Sequence, residues 1–229
     1  MLVLLDIDGT LLAGDGVGMR ALAAGGVDAF GRELSGAGVS YAGRLDPLIV
    51  TDLLNANGIE DTPENRAALR GAYAQRLARE IRDRPLRALR GAVEFVKALG
   101  KLDGVTVGLL TGNFPETGEM KLRSAGFDMD AFEVRVWGDD SPDDPPHRDH
   151  LPAVAVTRYT ALRGEGLHAE RVVVIGDTPG DVGCARAGGH RCLAVTTGRF
   201  DARSLGDAGA DRVINGLEDA VEIAGWIMG

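Results

Sequence analysis

Short apolar runs, separated for the most part by helical patterns, constrain the fold of this 229-residue chain most strongly. They are Leu2–Leu5, Val105–Leu110, Val134–Val136, Val172–Ile175, Cys192–Val195 and Arg212–Ile214. Runs this short and this continuously apolar are typical of strands that are covered on both faces. Strands that alternate with helices favour a mostly parallel sheet with helices on both sides. The sequence therefore predicts an α/β protein with a three-layer, Rossmann-like core.

One long interval interrupts the alternation and predicts a second domain. Between about residues 14 and 86 no convincing strand pattern occurs, and the spacing of apolar residues is helical. Thr62 followed by Pro63 is a typical helix start, with a side-chain cap and a proline in the first turn. We expect helices over 17–34, 46–55 and from Pro63 onward, and a core helix over 92–102. The predicted domains are a core of residues 1–13 and 87–229 and an inserted all-helical cap domain of residues 14–86.

Composition narrows the class of protein. A net charge of -9 leaves no surplus of basic residues to neutralise nucleic-acid phosphates, so we expect no nucleic-acid partner. No stretch approaches the roughly 20 apolar residues of a membrane helix, and the apolar start is too short for a signal peptide. Cys184 and Cys192 are too few for a disulfide framework and are interpreted as small buried hydrophobes in a reducing compartment. These features predict a cytoplasmic protein without a membrane partner.

The first apolar run ends in Asp6-Ile7-Asp8-Gly9-Thr10. Side chains two positions apart in a strand point to the same face, so Asp6 and Asp8 should lie near each other. Two close carboxylates cannot both stay ionised cheaply without a cation between them or a shared proton. The carboxyl end of a strand is also where open α/β sheets bind ligands. The motif predicts a site for a hard divalent metal.

A second acidic motif follows the run that ends at Ile175. Asp177 comes directly after that strand, and Asp181 lies four positions further on. This again places carboxylates at the end of a buried strand. The alternative is structural: Asp177 or Thr178 caps a helix that begins near Pro179 and does nothing more.

A third polar turn, Thr111-Gly112-Asn113, follows the run that ends at Leu110. The Thr111 hydroxyl and the backbone N–H groups of Gly112 and Asn113 lie where the next helix should start, which suits an anion. By itself such a turn is also compatible with an ordinary connection between a strand and a helix.

On these motifs the chain resembles the haloacid dehalogenase superfamily. The matching features are Asp-x-Asp-Gly-Thr at 6–10, Thr-Gly at 111–112 and Gly-Asp-x-x-x-Asp at 176–181, in the family's order and spacing. The helical insert resembles the cap of the phosphoglycolate phosphatase and β-phosphoglucomutase subgroup. The family's dehalogenases lack an aspartate at the position of Asp8, so its presence favours phosphoryl chemistry.

The resemblance implies a role for each motif residue. Asp6 would be the nucleophile, and Asp8 would protonate the leaving alcohol and then activate water. Mg²⁺ would bind to the carboxylates of Asp6 and Asp177 and to the backbone carbonyl of Asp8, with Asp181 in a supporting position behind the metal ligands. Thr111 would be catalytic, and the N–H groups near it, at Gly112 and Asn113, would bind the substrate phosphate.

The family also places a Lys or Arg between the second and the last motif, and no lysine follows Lys121 here. Arg148, Arg158 and Arg163 are the candidates for that cation. Arg148 is preferred because it lies in the irregular stretch 138–150, just before the helix that Leu151 opens, which is the place that the family's cation occupies. Its surroundings, residues 144–151, also resemble an Arg-Asp-x-Leu-Pro version seen in some members. Arg158 and Arg163 fall inside that helix, where charges are more often at the surface.

Two further features of the sequence have open interpretations. Arg44, in Gly43-Arg44-Leu45-Asp46, either reaches a substrate anion or pairs with Asp46 at a helix start. His147, His150 and nearby aspartates either form a transition-metal site or, as we expect, a solvated loop.

Together these features predict a Mg²⁺-dependent phosphatase that hydrolyses a small phosphomonoester, a small phosphorylated metabolite such as a phosphoglycolate-like compound, through an aspartyl-phosphate. The alternatives are a β-phosphoglucomutase-like phosphomutase and a non-catalytic phosphate-binding protein on the same fold. The protein is expected to be a monomer or a homodimer.

Overall fold

The computed structural model describes residues 1–13 and 15–229. Its centre is a parallel six-stranded sheet in the order β3-β2-β1-β4-β5-β6. The strands are β1 Leu2–Leu5, β2 Thr106–Leu110, β3 Val134–Val136, β4 Val172–Gly176, β5 Arg191–Val195 and β6 Arg212–Ile214. Every predicted strand is present within one residue at either end, and the predicted α/β class is confirmed.

The register of the central strands brings the predicted motifs to one edge of the sheet. Leu2 of β1 lies opposite Thr106 of β2 and opposite Val172 of β4. All three strands therefore end at about the same level. The chain moves outward from β1 in one direction through β2 and β3 and in the other through β4, β5 and β6. The boundary between β1 and β4 is a topological switch point, where open α/β sheets bind ligands.

Helices cover both faces of the sheet. Their bounds are α1 Val17–Phe30, α2 Asp46–Ala56, α3 Pro63–Asp83, α4 Ala92–Leu99, α5 Pro115–Ser124, α6 Leu151–Arg163, α7 Pro179–Ala187, α8 Ala202–Asp207 and α9 Ala220–Met228. One apolar core contains residues of α4, α5 and α9 with Val3 and Leu5 of β1. The other contains residues of α6, α7 and α8 with Leu2 and Leu4. Alternate side chains of β1 thus enter opposite cores, as the pleat requires.

The insert between β1 and α4 is helical and has an apolar core of its own, to which α1, α2 and α3 all contribute. The Thr62 hydroxyl accepts a hydrogen bond from the Asn65 N–H at 3.2 Å and caps α3, as predicted. The buried residues of α3 are Leu69, Ala72, Tyr73 and Leu77. Residue 14, where the predicted domain boundary falls, lies outside the described residues, and the division into two domains stays a prediction.

Two predicted helix ends were wrong. α1 ends at Phe30 and not at residue 34, because Gly31 adopts a left-handed conformation with φ of 72° and its N–H closes the last turn. The core helix α4 ends at Leu99 and not at residue 102. The stretch 138–147 has no regular structure, as its prolines and aspartates indicate. Among the described residues, no helix is long and apolar enough to cross a membrane.

Candidate active site

A cavity of about 280 Å³ lies at the switch point, between the strand ends and the helical insert. Its walls include residues from all three predicted motifs and from α1, α2 and α3 of the insert. Those that the argument uses are Asp6, Asp8, Arg44, Thr111, Gly112, Asn113, Lys121, Arg148 and Asp177. The strand ends therefore bring together residues that lie far apart in the sequence, such as Asp6 and Asp177.

Three buried carboxylates meet at the floor of this cavity. Oxygen atoms of Asp6, Asp177 and Asp181 all lie within 4.8 Å of one another. Gly9, with φ of 87°, allows this approach, because a Cβ atom there would collide with the Asp177 carboxylate. The Thr10 hydroxyl donates a hydrogen bond to Oδ1 of Asp177 at 3.2 Å. Gly9 and Thr10 of the first motif thus help to fix the position of Asp177 in the last motif.

Burial and mutual repulsion raise the pKa of two of these groups. Desolvation, together with the negative charge of Asp181, raises the pKa of Asp6 to about 7. Desolvation and the charges of Asp181 and Asp6 raise the pKa of Asp177 to about 8. A cluster of this kind is short of positive charge, and carboxylate oxygens are the ligands that Mg²⁺ prefers. The donor set therefore fits a divalent cation.

Asp181 differs from the other two because protein donors occupy both of its oxygens. Oδ1 accepts a hydrogen bond from Nη2 of Arg148 at 2.5 Å. Oδ2 accepts from the Thr178 N–H at 3.0 Å and the Thr178 hydroxyl at 2.7 Å. Thr178 and Asp181 form a capping box at the start of α7. Asp6 and Asp177 are thus the carboxylates available to a metal. Thr178 caps α7, and this structural role does not prevent Asp177 from binding a metal.

Arg148 lies between the first and last motifs. It sits in a short 3₁₀ turn, residues 148–150, and its Nη2 is 3.5 Å from Oδ1 of Asp6. Its Nε is buried without a hydrogen-bond partner among the described residues. The rival candidates are elsewhere: Arg158 pairs with Asp140 at 2.6 Å, and Arg163 pairs with Glu133. Of the three arginines, Arg148 is the one at the carboxylate cluster.

With this geometry established, comparison with known proteins gives the family. Residues 3–186 match the haloacid dehalogenase-like hydrolase family. The chain belongs to this family. The match covers all of the quoted motifs, and the resemblance noted from the sequence is confirmed.

Individual relatives add detail to the comparison. Phosphoglycolate phosphatases of Yersinia pseudotuberculosis serotype I (strain IP32953) and Yersinia pestis are each 28% identical over 123 residues, which is 54% of this chain and 50% of theirs. The chain thus spans about half the length of the curated relatives it matches.

Solved structures resemble the whole chain. A hydrolase from Pseudomonas syringae has a TM-score of 0.73 at 24% identity and covers 99% of this chain and 98% of its own. CbbY from Rhodobacter sphaeroides, in complex with xylulose-1,5-bisphosphate, has a TM-score of 0.73 at 17% identity over 95% of each chain. At these identities the likeness shows the fold alone.

In this haloacid dehalogenase-like hydrolase, Asp8 has a partner that the sequence did not suggest. Nζ of Lys121, in α5, lies 2.7 Å from Oδ2 of Asp8 and 2.6 Å from Oδ1 of Asn113. Burial by itself would raise the pKa of Asp8, but the Lys121 charge and the hydrogen bonds from Lys121 and Asn113 outweigh it and hold that pKa low. The signal in the sequence was helical spacing: Lys121 shares the buried face of α5 with Thr117, Gly118 and Leu122.

The turn after β2 is tied to the insert. The Gly112 carbonyl accepts a hydrogen bond from the Asp46 N–H at 2.7 Å, and the Asp46 carboxylate accepts one from the Phe114 N–H at 3.0 Å. A Cβ atom on Gly112 would collide with the backbone carbonyl of Arg44. The buried Thr111 hydroxyl accepts a hydrogen bond from Nδ2 of Asn113 at 2.9 Å. This turn therefore holds the start of α2 over the cavity.

Arg44 lines the cavity but does not pair with Asp46, so that interpretation was wrong. Its Nη2 lies instead 2.8 Å from Oδ2 of Asp52, which is six residues after Asp46 in α2. The Asp46 carboxylate instead accepts the hydrogen bond from the Phe114 N–H described above.

The histidines of the irregular stretch do not converge on a metal site. His147 pairs with Asp149 and His150 with Asp143, each at 3.4 Å. Within residues 1–13 and 15–229, the grouping of at least three metal-binding side chains is the one at Asp6, Asp177 and Asp181. The expected solvated loop fits this arrangement.

Proposed function

We propose that this protein is a Mg²⁺-dependent phosphatase that hydrolyses a small phosphomonoester through an aspartyl-phosphate on Asp6. The observation that carries the proposal is the meeting of Asp6, Asp177 and Arg148 at the floor of a cavity large enough for a small molecule. Carboxylates that hold a metal, beside a guanidinium that faces a phosphoryl group, form a site suited to neutralising the charge of a phosphate ester.

Asp6 and Asp177, with the backbone carbonyl of Asp8, would hold the metal ion. The raised pKa values of both carboxyls support this assignment, since they mark a cluster with more negative charge than Arg148 neutralises. When bound, Mg²⁺ would supply charge neutralisation and polarise the phosphoryl oxygens. Asp181 would stay with Arg148 and Thr178 and keep the guanidinium aimed at Asp6.

The reaction needs two displacements at phosphorus. Lys121 holds the pKa of Asp8 low in the free protein, but the negative charge of a bound phosphate ester would oppose this effect and let Asp8 take up a proton. In the first displacement, a carboxylate oxygen of Asp6 attacks phosphorus, the bond to the leaving oxygen breaks, and Asp8 gives that proton to the leaving oxygen. In the second, Asp8 takes a proton from water, the water oxygen attacks phosphorus, and the bond to Asp6 breaks. Inorganic phosphate leaves, and both aspartates return to their starting states.

The other motif residues would bind the transferred group. Arg148 offers N–H donors in a planar fork that matches phosphate oxygens. The Thr111 hydroxyl and the N–H groups of Gly112 and Asn113 would hold the oxygens that face away from the metal. Their contribution would be to position the phosphoryl group in line with Asp6.

The substrate would be a small phosphorylated metabolite, phosphoglycolate-like in size and charge, whose leaving group itself carries an anion. The Yersinia relatives support this class, as does Arg44, a cation on the cavity wall. We further propose that the protein acts in the cytoplasm as a monomer or homodimer.

The direct test is release of phosphate from a panel of phosphorylated metabolites, with Mg²⁺ and with EDTA. We expect Mg²⁺-dependent release that Asp6→Asn abolishes, apart from a trace caused by deamidation, and that the matched surface variant Asp103→Asn retains. Undiminished release by Asp6→Asn would refute the mechanism. Release that requires no bisphosphate activator excludes the phosphomutase alternative, and phosphate binding without turnover would instead indicate the non-catalytic one.

A further inference from the structure

The two carboxylate oxygens of Asp8 lie in unlike environments. Oδ2 accepts two hydrogen bonds, from Nζ of Lys121 at 2.7 Å and from Nδ2 of Asn113 at 2.9 Å. Oδ1 accepts none from the residues that the structure describes. The side chain is 41% exposed and lines the cavity. One oxygen is thus held by the protein, and the other is left for a ligand or a water molecule.

The donors on Oδ2 are themselves fixed in place. The Asn113 amide gives Nδ2 to Asp8 and to the Thr111 hydroxyl, and its Oδ1 accepts from Lys121 at 2.6 Å. Each end of this amide therefore has a partner of the right polarity, and its orientation is determined. Lys121 lies on the buried face of α5, and its side chain is only 5% exposed.

Residues of the insert pack close to the Lys121 ammonium and cover it. A Cβ atom on Gly18 of α1 would lie 3.3 Å from Nζ of Lys121 and 3.1 Å from the hydroxyl of Tyr73, so both groups crowd the same small space. Tyr73 belongs to α3 and is almost fully buried. The ammonium is confined between α5 and the insert and cannot swing away to another partner.

We infer that Lys121 is a positioning residue for the reaction: with Asn113 it holds Oδ2 of Asp8 and so presents Oδ1 as the oxygen that exchanges the proton. The inference rests on the proposed function. As the bond from Asp6 to phosphorus forms and the bond to the leaving oxygen breaks, the proton moves from Oδ1 to the leaving oxygen. In the second step Oδ1 recovers a proton from the attacking water.

This role predicts a dependence on the leaving group. An alkoxide is a poor leaving group and needs the proton, whereas p-nitrophenolate leaves almost as well without it. Because kcat/KM reports the steps up to the first irreversible one, it isolates the transfer to Asp6. General acid catalysis is typically worth about 10²- to 10⁴-fold, so misplacing the acid should be costly for alkyl esters only.

The experiment compares kcat/KM for an alkyl phosphomonoester and for p-nitrophenyl phosphate in wild type, Lys121→Met, Lys121→Gln and the surface control Lys97→Met. For Lys121→Met we expect a loss of about 100-fold on the alkyl ester and less than about 5-fold on p-nitrophenyl phosphate. Lys121→Gln keeps an N–H donor near Oδ2 and should recover part of the loss on the alkyl ester. Lys97→Met should match wild type on both substrates.

The ratio of the two losses makes the test independent of folding, since a partly unfolded preparation loses activity on both substrates equally. A ratio near one for Lys121→Met overturns the positioning role and leaves the proposed phosphatase intact. Absence of phosphate release from every ester by wild type refutes the proposed function, and the inference with it.

Discussion

Two buried cations, Arg148 and Lys121, each hold an aspartate of the site, and they do so in different ways. On one side Arg148 and Thr178 occupy both oxygens of Asp181, whose side chain is 0% exposed. On the other, Lys121 and Asn113 occupy one oxygen of Asp8, whose side chain is 41% exposed.

The difference distinguishes an aspartate that orients its neighbours, Asp181, from one that can take part in the reaction, Asp8. A carboxylate with protein donors on both oxygens and no contact with solvent can orient its neighbours, but it cannot exchange a proton with a substrate. A carboxylate held by one oxygen keeps a fixed direction and a free atom. Loss of the cation should therefore unsettle the fold on the Arg148 side and the chemistry on the Lys121 side.

The largest effect is expected from Arg148→Met. Removal of one partner of a fully buried ion pair leaves an uncompensated charge, which typically costs about 3–5 kcal/mol of unfolding free energy. It also removes the guanidinium beside Asp6, and we expect kcat/KM to fall by roughly 1,000-fold. Urea unfolding of the metal-free protein and phosphate-release kinetics measure the two effects.

Arg158→Met is the matched control, because Arg158 forms a partly exposed pair with Asp140 two turns into α6. Such pairs are worth about 0–1 kcal/mol, and activity should be unchanged. Equal destabilisation by the two variants would contradict the distinction between them.

Magnesium should stabilise the protein more as pH rises. Asp6 and Asp177 have pKa values raised to about 7 and about 8, above those of the unfolded chain. The folded, metal-free protein therefore binds more protons than the unfolded one between about pH 4 and 8, and it loses stability as pH rises through that range. A bound metal displaces these protons, and apparent affinity should rise up to roughly tenfold per pH unit for each proton released.

The measurement is Tm at pH 6 and pH 8, with EDTA and with Mg²⁺. We expect Tm in EDTA to fall between the two pH values and the increment from Mg²⁺ to grow. Asp177→Asn should remove most of that increment, whereas NaCl at matched ionic strength should not reproduce it. An increment independent of pH would show that these carboxyls are not the ligands.

A smaller change in stability is expected on the Lys121 side. In Lys121→Met the half-exposed Asp8 can turn toward solvent, so no buried carboxylate is left uncompensated, and the main cost is the buried Oδ1 of Asn113, which loses its donor. A buried polar atom without a partner typically costs about 1–3 kcal/mol, against about 3–5 kcal/mol for Arg148→Met. A loss of about 3 kcal/mol or more would remove the contrast between the two sides.

The smallest effect is expected at Arg44, because its guanidinium is already paired with Asp52. Arg44→Gln should raise KM by about 3- to 10-fold for a substrate whose leaving group carries an anion, since an exposed charge contact is worth about 1 kcal/mol. KM for p-nitrophenyl phosphate should not change, and the surface variant Arg32→Gln should affect neither. An equal change in KM for both substrates would argue against recognition of the leaving group.

Much of the core could be predicted because its signals are local. Continuous apolar runs identify buried strands, and polar residues directly after them must meet at one edge of a parallel sheet. That reasoning placed Asp6, Asp177 and Thr111 at one cavity. Arg148 was predicted instead from the resemblance to the family, whose cation lies just before the helix that corresponds to α6. Short helix ends were less predictable, since a single glycine at position 31 decided where α1 stops.

Lys121 was missed because its role depends on packing between two regions. A lysine in a helix with Glu116 and Glu119 nearby is usually a solvated charge, and its only local sign was a place on the buried face of α5. Its partners come from the first motif and from the turn after β2, and its cover comes from Tyr73 in the insert. Arg44 likewise has a partner eight positions away, Asp52 on α2, which the local sequence did not indicate.

The central claim is that the phosphoryl group of the substrate is transferred to Asp6. Mass spectrometry of an acid-quenched reaction tests this claim most directly. Asp8→Ala, which retains the nucleophile but cannot activate water, should accumulate one phosphoryl group on the peptide that contains Asp6 when mixed with p-nitrophenyl phosphate and Mg²⁺. The account predicts this adduct and its absence in Asp6→Asn. Turnover by wild type, with an unmodified Asp6 peptide in Asp8→Ala and undiminished activity in Asp6→Asn, would contradict it.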